Sequence, residues 1–234
     1  MIVDSKVNYD ISNLYIPKDV KGDIDYQKSF SATLTIIVKD KDGKIINRYK
    51  QKSHSPTANF IGLMLPITYY ANTGSSWTLT STSNTTIGYG PNNPQNATGI
   101  LYPNNSLNYN DYLQNIEVGS GSKSNPYNAY NLASPIANGS GTGQLLYSSP
   151  NIPTGITING SQAYFIISQS YNNQSGETIT ISEVGLIIGL TLGNGNSENV
   201  SPIPTLVWYD ALSSPISVGN GQSVVIYYTF SVNA

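Results

Sequence analysis

The chain has 234 residues, which is enough for one large β-sandwich or for two small domains that each have a core. Only 10% of its residues are charged, against about 25% in ordinary soluble domains. Cysteine is absent and there is one histidine, which excludes disulfides and leaves too few ligands for a zinc or copper centre. No apolar run reaches the roughly 18 residues of a membrane-spanning helix, so we expect a soluble chain without a membrane span.

The charges are unevenly distributed. The first 52 residues hold ten of the eleven Lys and Arg residues and seven of the 13 acids, a net charge of +3, whereas the remainder has a net charge of −5. The first residues, Met1 to Lys6, lack the basic flank and apolar core of a secretory signal, so we expect no export by that route. We divide the chain into a charged N-terminal segment with a β-hairpin (1–52) that belongs to the same β fold, a region with a short helix and many loops (53–137), and a C-terminal antiparallel β region (138–234). Together these regions predict one or two β-sandwich domains.

The first clear element in chain order is a β-hairpin. Alternating apolar and polar residues over 33–39 and 44–50 flank the sequence Asp40-Lys41-Asp42-Gly43, in which Asp-Gly suits a tight turn with positive φ. A short helix is predicted next, over 56–65, because Ser55 can cap it, Pro56 suits its first turn and Pro66 ends it.

The C-terminal part has the most regular pattern. Strands are predicted over 162–171, 178–190, 206–212 and 224–232, joined by connections of hairpin length. The Gly-rich tract 138–143 predicts a flexible connection before them. This pattern favours an all-β fold, an antiparallel β-sandwich or jelly roll with one short helix near 56–65.

Candidate catalytic residues are few. His54 lies beside the predicted helix start and is interpreted as a surface or capping residue. The acids Glu117, Glu177, Glu183 and Asp210 show no spacing that selects a catalytic pair. Oxygen ligands for calcium exist at Asp40 and Asp42, but a hairpin turn explains the same Asp-Gly sequence. We therefore predict no catalytic residue, no metal and no cofactor.

Glu183 is the most unusual acid because it lies within the apolar strand 179–186. Strict alternation puts it on the face of Ile179, Ile181 and Gly185, and a buried carboxylate there needs hydrogen bonds from loop amides or from a subunit contact. We interpret Glu183 as a structural buried acid that holds a loop in place.

Two groups of residues are candidates for assembly or partner contacts. Alternation along the second hairpin strand places four cations on one face, which suits a solvated surface, an acidic partner or, less favoured, nucleic acid. The predicted helix offers apolar side chains. These candidates are Lys44, Arg48, Lys50 and Lys52 on the strand, and Phe60, Ile61 and Met64 on the helix.

Several short motifs follow one another in the second half of the chain. They are Ile116-Glu117-Val118-Gly119-Ser120-Gly121, then Leu132-Ala133-Ser134-Pro135-Ile136, then Ile179-Thr180-Ile181-Ser182-Glu183-Val184-Gly185-Leu186, then Tyr209-Asp210-Ala211-Leu212-Ser213-Ser214-Pro215-Ile216-Ser217-Val218, and last Gln222-Ser223-Val224-Val225-Ile226-Tyr227-Tyr228-Thr229-Phe230. In this order they resemble a β-rich domain of tail, fibre and adaptor proteins from tailed phages and archaeal viruses. With the low charge and the lack of cysteine, the chain is most similar to a virion protein of a spindle-shaped or turreted virus that infects an acid-loving, hyperthermophilic archaeon.

The resemblance implies a non-enzymatic structural protein of the tail, nozzle, adaptor or turret. It would be assembled in the host cytoplasm and exposed outside the cell in the virion. It would form a symmetric homo-oligomer, contact other virion proteins, and touch a host receptor or glycan with its Tyr- and Asn-rich loops. The alternative hypothesis is a cell-surface adhesin or pilus-like carbohydrate-binding module. A third hypothesis, a glycan-cleaving enzyme, requires two acids that face each other across a cleft.

Overall fold

The computed structural model describes residues 30–53, 55–61, 77–80, 83–84, 86–89, 116–190 and 203–233. The predicted all-β fold is confirmed for this part of the chain. Residues 58–61 are helical, and a single 3-10 turn spans Pro126–Asn128. The strands are β1 (Ser31–Lys39), β2 (Ile45–Ser53), β3 (Trp77–Thr80), β4 (Thr86–Tyr89), β5 (Ile116–Gly119), β6 (Leu146–Tyr147), β7 (Thr157–Asn159), β8 (Gln162–Asn172), β9 (Ile179–Leu190), β10 (Ile203–Val218) and β11 (Ser223–Asn233).

Two antiparallel sheets form the sandwich. The larger sheet has the order β2-β1-β11-β8-β6, with β7 also paired to β8, and the smaller sheet has the order β10-β9-β5. Strands β3 and β4 pair with each other as a separate hairpin. This hairpin pairs with neither sheet of the sandwich. The sites described below lie on the two sheets of the sandwich.

The main core lies between the two sheets. Alternate residues of β1 and β11 point inward and are almost fully buried, as the period of two in a half-buried strand requires. They pack against inward residues of the smaller sheet. The contributors from the larger sheet include Leu34, Ile36, Ile226 and Tyr228, and those from the smaller sheet include Val118, Ile181, Val184, Val207 and Trp208.

The N-terminal hairpin is present, and Gly43 has the expected positive φ of 80°. The register slips within it: Val38 is opposite Asn47, but Lys39 is opposite Ile45, so Ile46 is an extra residue in a β-bulge. The strict alternation that grouped Lys44 with the other cations is therefore wrong. Lys44 precedes the strand, whereas Arg48, Lys50 and Lys52 remain opposite the outer residues of β1.

The four C-terminal strands are divided between the two sheets, and of the consecutive pairs only β9 and β10 are hydrogen-bonded to each other. Strand β8 pairs with β11 in the larger sheet, and β9 pairs with β10 in the smaller one, so the connections 173–178 and 219–222 cross between the sheets. Asn173 explains this corner, because its fully buried amide donates to the carbonyls of Glu177 and Val218. The predicted break at 213–215 is a register shift within β10.

The predicted helix is described only in part. Residues 58–61 are helical, and the backbone N–H of Ile61 donates to the carbonyl of Thr57 at 3.3 Å. The remainder of the predicted helix, from residue 62, lies outside the described residues. Within the described part of the chain, no helix has both the length and the apolar character needed to cross a bilayer.

Candidate functional site

A loop held on a buried carboxylate is the first site. Glu183 on β9 is fully buried and accepts four hydrogen bonds. Its carboxylate oxygens accept from the backbone N–H groups of Gly121 at 3.2 Å, Ala133 at 2.9 Å and Ser134 at 2.7 Å, and from the Tyr209 hydroxyl at 2.9 Å. We call this arrangement the Glu183 anchor. It uses both carboxylate oxygens and fixes residues 121–134 on the outer face of the smaller sheet.

Glycines make the close approach to Glu183 possible. A Cβ at Gly119 would collide with the Glu183 carboxylate and would lie 2.7 Å from the carbonyl oxygen of Ser134. A Cβ at Gly121 would lie 3.0 Å from Oε1 of Glu183. At both positions only a residue without a side chain leaves room for the carboxylate and the loop.

The face on which Glu183 lies differs from the expectation. Ile179 and Ile181 belong to the main core, but so do Val184, Leu186 and Ile188, so the alternation changes phase between 181 and 184. The register shift between β9 and β10 occurs at the same place, opposite Glu183 and Ile181. A bulge therefore turns Glu183 away from the main core and toward the loop, where a second apolar cluster formed by Ala129, Leu132, Ile187, Leu206 and Tyr209 covers that face.

Glu117 is a second carboxylate next to the anchor. It lies on β5 two residues before Gly119, the residue directly opposite Glu183, and its side chain is partly buried. Burial, and then the negative charge of Glu183, raise the pKa of Glu117 to about 7. The Glu117 carboxyl therefore titrates near neutral pH.

Asp210 is a buried carboxylate on the opposite face of the smaller sheet. It is 2% exposed, and Oδ2 accepts from the hydroxyls of Ser53 and of Tyr228, the latter at 2.9 Å. The indole N–H of Trp208 donates to the same Ser53 hydroxyl. We call Asp210, Ser53, Tyr228 and Trp208 the Asp210 cluster. It connects β2 and β11 of the larger sheet to β10 of the smaller one.

The arrangement of the acids bears on the glycan-cleaving hypothesis. Tyr209 and Asp210 are neighbours on β10, yet Tyr209 bonds Glu183 on the outer side while Asp210 bonds Tyr228 in the core. Glu183 and Asp210 are thus separated by the sheet itself. Glu177 lies elsewhere, exposed, and accepts from the N–H of Gly143 at 2.7 Å. These three acids do not face one another across a cleft.

Glu117 and Glu183 are close enough for the charge of Glu183 to contribute to the raised pKa of Glu117. Both oxygens of Glu183 are occupied by hydrogen bonds and its side chain is inaccessible to solvent. A substrate would have to displace the loop to reach it. The pair is therefore better explained by loop anchoring than by acid–base chemistry.

The remaining candidates for chemistry are Asp40 and Asp42, considered above as calcium ligands, and His54. Oδ1 of Asp40 accepts from the N–H groups of Asp42 and Lys44 at 3.0 and 2.9 Å, which is the hydrogen bonding of a tight turn. Among the described residues, no group of three or more His, Cys, Asp or Glu side chains is placed to hold a metal ion. His54 lies outside the described residues.

The cations of β2 form the second candidate surface, which we call the basic edge: Arg48, Lys50 and Lys52. All three side chains are exposed, and they lie opposite Ile37, Thr35 and Thr33 on the outer face of the larger sheet. Among the described residues the single ion pair joins Lys41 to Asp42, so the basic edge has no carboxylate partner there.

Two of the three apolar helix candidates, Phe60 and Ile61, are described, and they differ in exposure. Phe60 packs against the main core and its ring lies 5.2 Å from that of Trp208. Ile61 is 53% exposed. Met64 lies outside the described residues. Of the two described side chains, Ile61 is the one exposed to solvent.

An apolar groove lies where the segment 152–156 passes over β8 and β9. Its volume is about 370 Å³, and its lining includes Ile152, Phe165, Ile167 and Ile187. Ile156 at its rim is 68% exposed. The groove contains no titratable side chain, so it has no obvious chemistry of its own.

Comparison of the chain with family models, with curated proteins and with solved structures gives no match. The sites are therefore interpreted from their geometry and from the sequence.

Sequence reasoning singled out Glu183 but missed its hydroxyl partner and the Asp210 cluster. Tyr209 and Asp210 are adjacent in an apolar strand, and a polar pair in such a run is a usable signal that both faces of the strand are covered. Ser53 and Tyr228 carry no local signal, since only the packing of the two sheets brings them to Asp210.

Proposed function

We propose that this chain is a non-enzymatic structural protein of a virus particle, a component of its tail, nozzle, adaptor or turret. In this role it forms a symmetric homo-oligomer and contacts other virion proteins. The proposal rests on the resemblance of its motifs and on a composition that is poor in charge and lacks cysteine.

The observation that carries the proposal is the convergence of those motifs on the Glu183 anchor. The Val-Gly-Ser-Gly motif supplies Gly119 and Gly121, and the Ser-Pro-Ile motif begins with Ser134, whose N–H bonds Glu183. The Tyr-Asp motif adds the hydroxyl of Tyr209. Motifs that are far apart in the sequence thus all help to hold one loop on the smaller sheet, as expected of motifs with a structural role.

The second buried acid supports a structural role in the same way. Tyr228, from the last motif, donates to Asp210, from the motif before it, and so joins the two sheets. Both buried acids therefore act as acceptors that hold elements together. A polar surface with few carboxylates also changes its net charge little on acidification, which suits a particle exposed to an acidic exterior.

Native mass spectrometry and electron microscopy of the purified full chain test the proposal. A virion component of this type is expected as a discrete closed ring, with one mass that is an integral multiple of 25.2 kDa. A monomer at every concentration examined would contradict the proposed assembly. A monomer that binds defined sugars on a glycan array would instead favour the adhesin hypothesis.

A further inference from the structure

The edges of the two sheets differ in how they are covered. In the smaller sheet, residues 55–57 run along the free side of β10: the N–H of Thr57 donates to the carbonyl of Val207, and the N–H of Tyr209 to that of Ser55. Residues 134–136 cover β5 in the same manner, through the N–H of Ile136 and the carbonyl of Val118. These contacts cover part of each edge of this sheet, at residues 207–209 of β10 and at residues 118–120 beside β5.

Within the described residues, the larger sheet is covered along one side only. Strand β8 is covered by the short strands β6 and β7 and by the bridge between Asn151 and Ser168. On the other side β2 is nine residues long and pairs only with β1 among the described residues. Among the described residues no backbone group is bonded to its outward N–H and C=O groups, which form a long open edge. Such an edge is a template for another strand.

The charges on β2 specify which strand fits. Arg48, Lys50 and Lys52 are alternate residues on one face, so their Cα atoms follow one another at intervals of about 6.7 Å. An added antiparallel strand would place its side chains directly opposite, with Cβ separations of about 5 Å. Acidic side chains at alternate positions of that strand would meet all three cations, which have no other carboxylate partner in the described part of the chain.

The same charges disfavour pairing of β2 with β2 of a second copy. In the antiparallel register centred on Lys50, which keeps both outer faces on one side of a continuous sheet, Arg48 would lie opposite Lys52, and Lys50 opposite itself. Like charges directly opposite one another destabilise a sheet. The basic edge therefore discriminates against self-pairing and in favour of an acidic partner.

We propose that β2 takes up an extended acidic segment of another polypeptide as an additional strand of the larger sheet. The outward backbone groups of β2 would supply the hydrogen bonds, and the basic edge would select a segment with Asp or Glu at every second position. The inference concerns this edge alone and does not depend on the proposed virion role.

Fluorescence anisotropy with the full chain tests the proposal. The probe is a fluorescein-labelled nine-residue peptide that alternates Thr and Glu, and the comparison peptide alternates Thr and Gln. We expect binding of the Glu peptide and at least tenfold weaker binding of the Gln peptide.

Two N-methylated versions of the Glu peptide test the backbone hydrogen bonds. One is methylated on the backbone nitrogen of every Glu and the other on that of every Thr. Because alternate N–H groups of a strand point to opposite sides, only one of these versions should lose binding.

Charge variants of the protein provide the matched control. K50E/K52E should weaken binding of the Glu peptide about tenfold or more, whereas K41E/K123E, which changes the net charge equally but lies outside β2, should change it less than twofold. K50Q/K52Q repeats the test with a smaller perturbation, and circular dichroism verifies that each variant is folded.

Three outcomes would contradict the proposal. Equal binding of both N-methylated peptides would overturn strand addition. An unchanged affinity in both Lys50/Lys52 variants would overturn the role of the basic edge. Tighter binding of a 20-nucleotide oligo-dT, with neither N-methylated peptide impaired, would identify the surface as a general polyanion site and would also overturn the proposal.

Discussion

Glu183 shows how much a single buried carboxylate can organise. Its four donors come from three separate parts of the chain, at Gly121, at Ala133 and Ser134, and at Tyr209. Hydrogen bonds to a charged acceptor are stronger than those between neutral groups. The cost of burying the charge is thus offset by the donors, and the loop owes its position to them.

Replacing Glu183 by Gln removes the charge while keeping the size of the side chain. The Gln amide nitrogen cannot accept a hydrogen bond, so it would face N–H or O–H donors that are then left without an acceptor. We expect E183Q to lower the free energy of unfolding by about 2–4 kcal/mol. Urea denaturation measures this change, and the exposed Glu177→Gln substitution, expected to have little effect, is the control. A stability of E183Q equal to that of the unmodified chain would contradict the anchor.

Glu117 gives the site a pH dependence with a definite sign. Its pKa is about 7 in the folded chain, above the ordinary value of 4.5 that we assign to the unfolded chain. The folded state therefore holds the proton more tightly, and its extra stability is fully present below about pH 4.5. That stability is lost progressively as the pH rises toward 7, with no further loss above the folded pKa.

Glu117→Gln mimics the protonated acid at every pH. We expect E117Q to match the unmodified chain at pH 4 and to be more stable than it at pH 8, by about 2 kcal/mol after allowance for the partial exposure of the side chain. Unfolding curves at a series of pH values measure the difference between the two proteins, which isolates Glu117 from the other titrating groups. A difference that does not vary with pH would contradict the raised pKa.

At the level of elements, the sequence predicts what depends on local patterns and misses what depends on pairing. The β1–β2 hairpin is predictable because Asp42-Gly43 sets the turn and alternation marks the strands. The bulge at Ile46 is not, since an extra residue in a strand leaves no trace in an otherwise alternating pattern. The crossing of the β8–β9 connection between sheets depends on Asn173, whose amide bonds form only when both sheets are in place.

The candidate sites follow the same division. Glu183 stands out as an acid in an apolar strand, which is a local signal. The orientation of its side chain has no such local signal, because the bulge that turns Glu183 toward the loop arises from pairing with β10. The Asp210 cluster unites residues up to 175 positions apart and is invisible to local patterns, as Ser53 and Tyr228 are unremarkable in their own strands.

The connection between the sheets can be tested at Tyr228. Its hydroxyl donates to Asp210 across the sandwich at 2.9 Å, whereas the ring of the adjacent residue, Tyr227, lies on the outer face of the larger sheet. We expect Y228F to lower the free energy of unfolding by about 1.5 kcal/mol, because Asp210 loses one of its hydrogen bonds in the core. Y227F changes the same residue type on the other face and should be close to neutral. Equal effects of the two substitutions in urea denaturation would show that the hydroxyl of Tyr228 does not join the sheets.

For the whole molecule, the uneven charge distribution separates self-assembly from partner binding. Ten of the eleven cations precede residue 53, and three of them form the basic edge. A homo-oligomer built through this edge would bring like charges together, so we expect copies to associate through other surfaces. Ile61 and Ile158, which are 53% and 78% exposed, belong to the uncharged part of the surface that remains available.

The native mass of K50E/K52E distinguishes the two kinds of contact. If copies associate away from β2, the variant should give the same oligomer mass as the unmodified chain, while its binding of the acidic peptide is lost. We expect the charge reversal to leave β2 a strand, because both side chains are exposed on the outer face of the larger sheet. A shift of the variant to smaller species at equal protein concentration would place the basic edge inside the oligomer. In that case strand addition by an acidic partner and assembly would compete for the same surface, and peptide binding by the unmodified chain should then dissociate the oligomer.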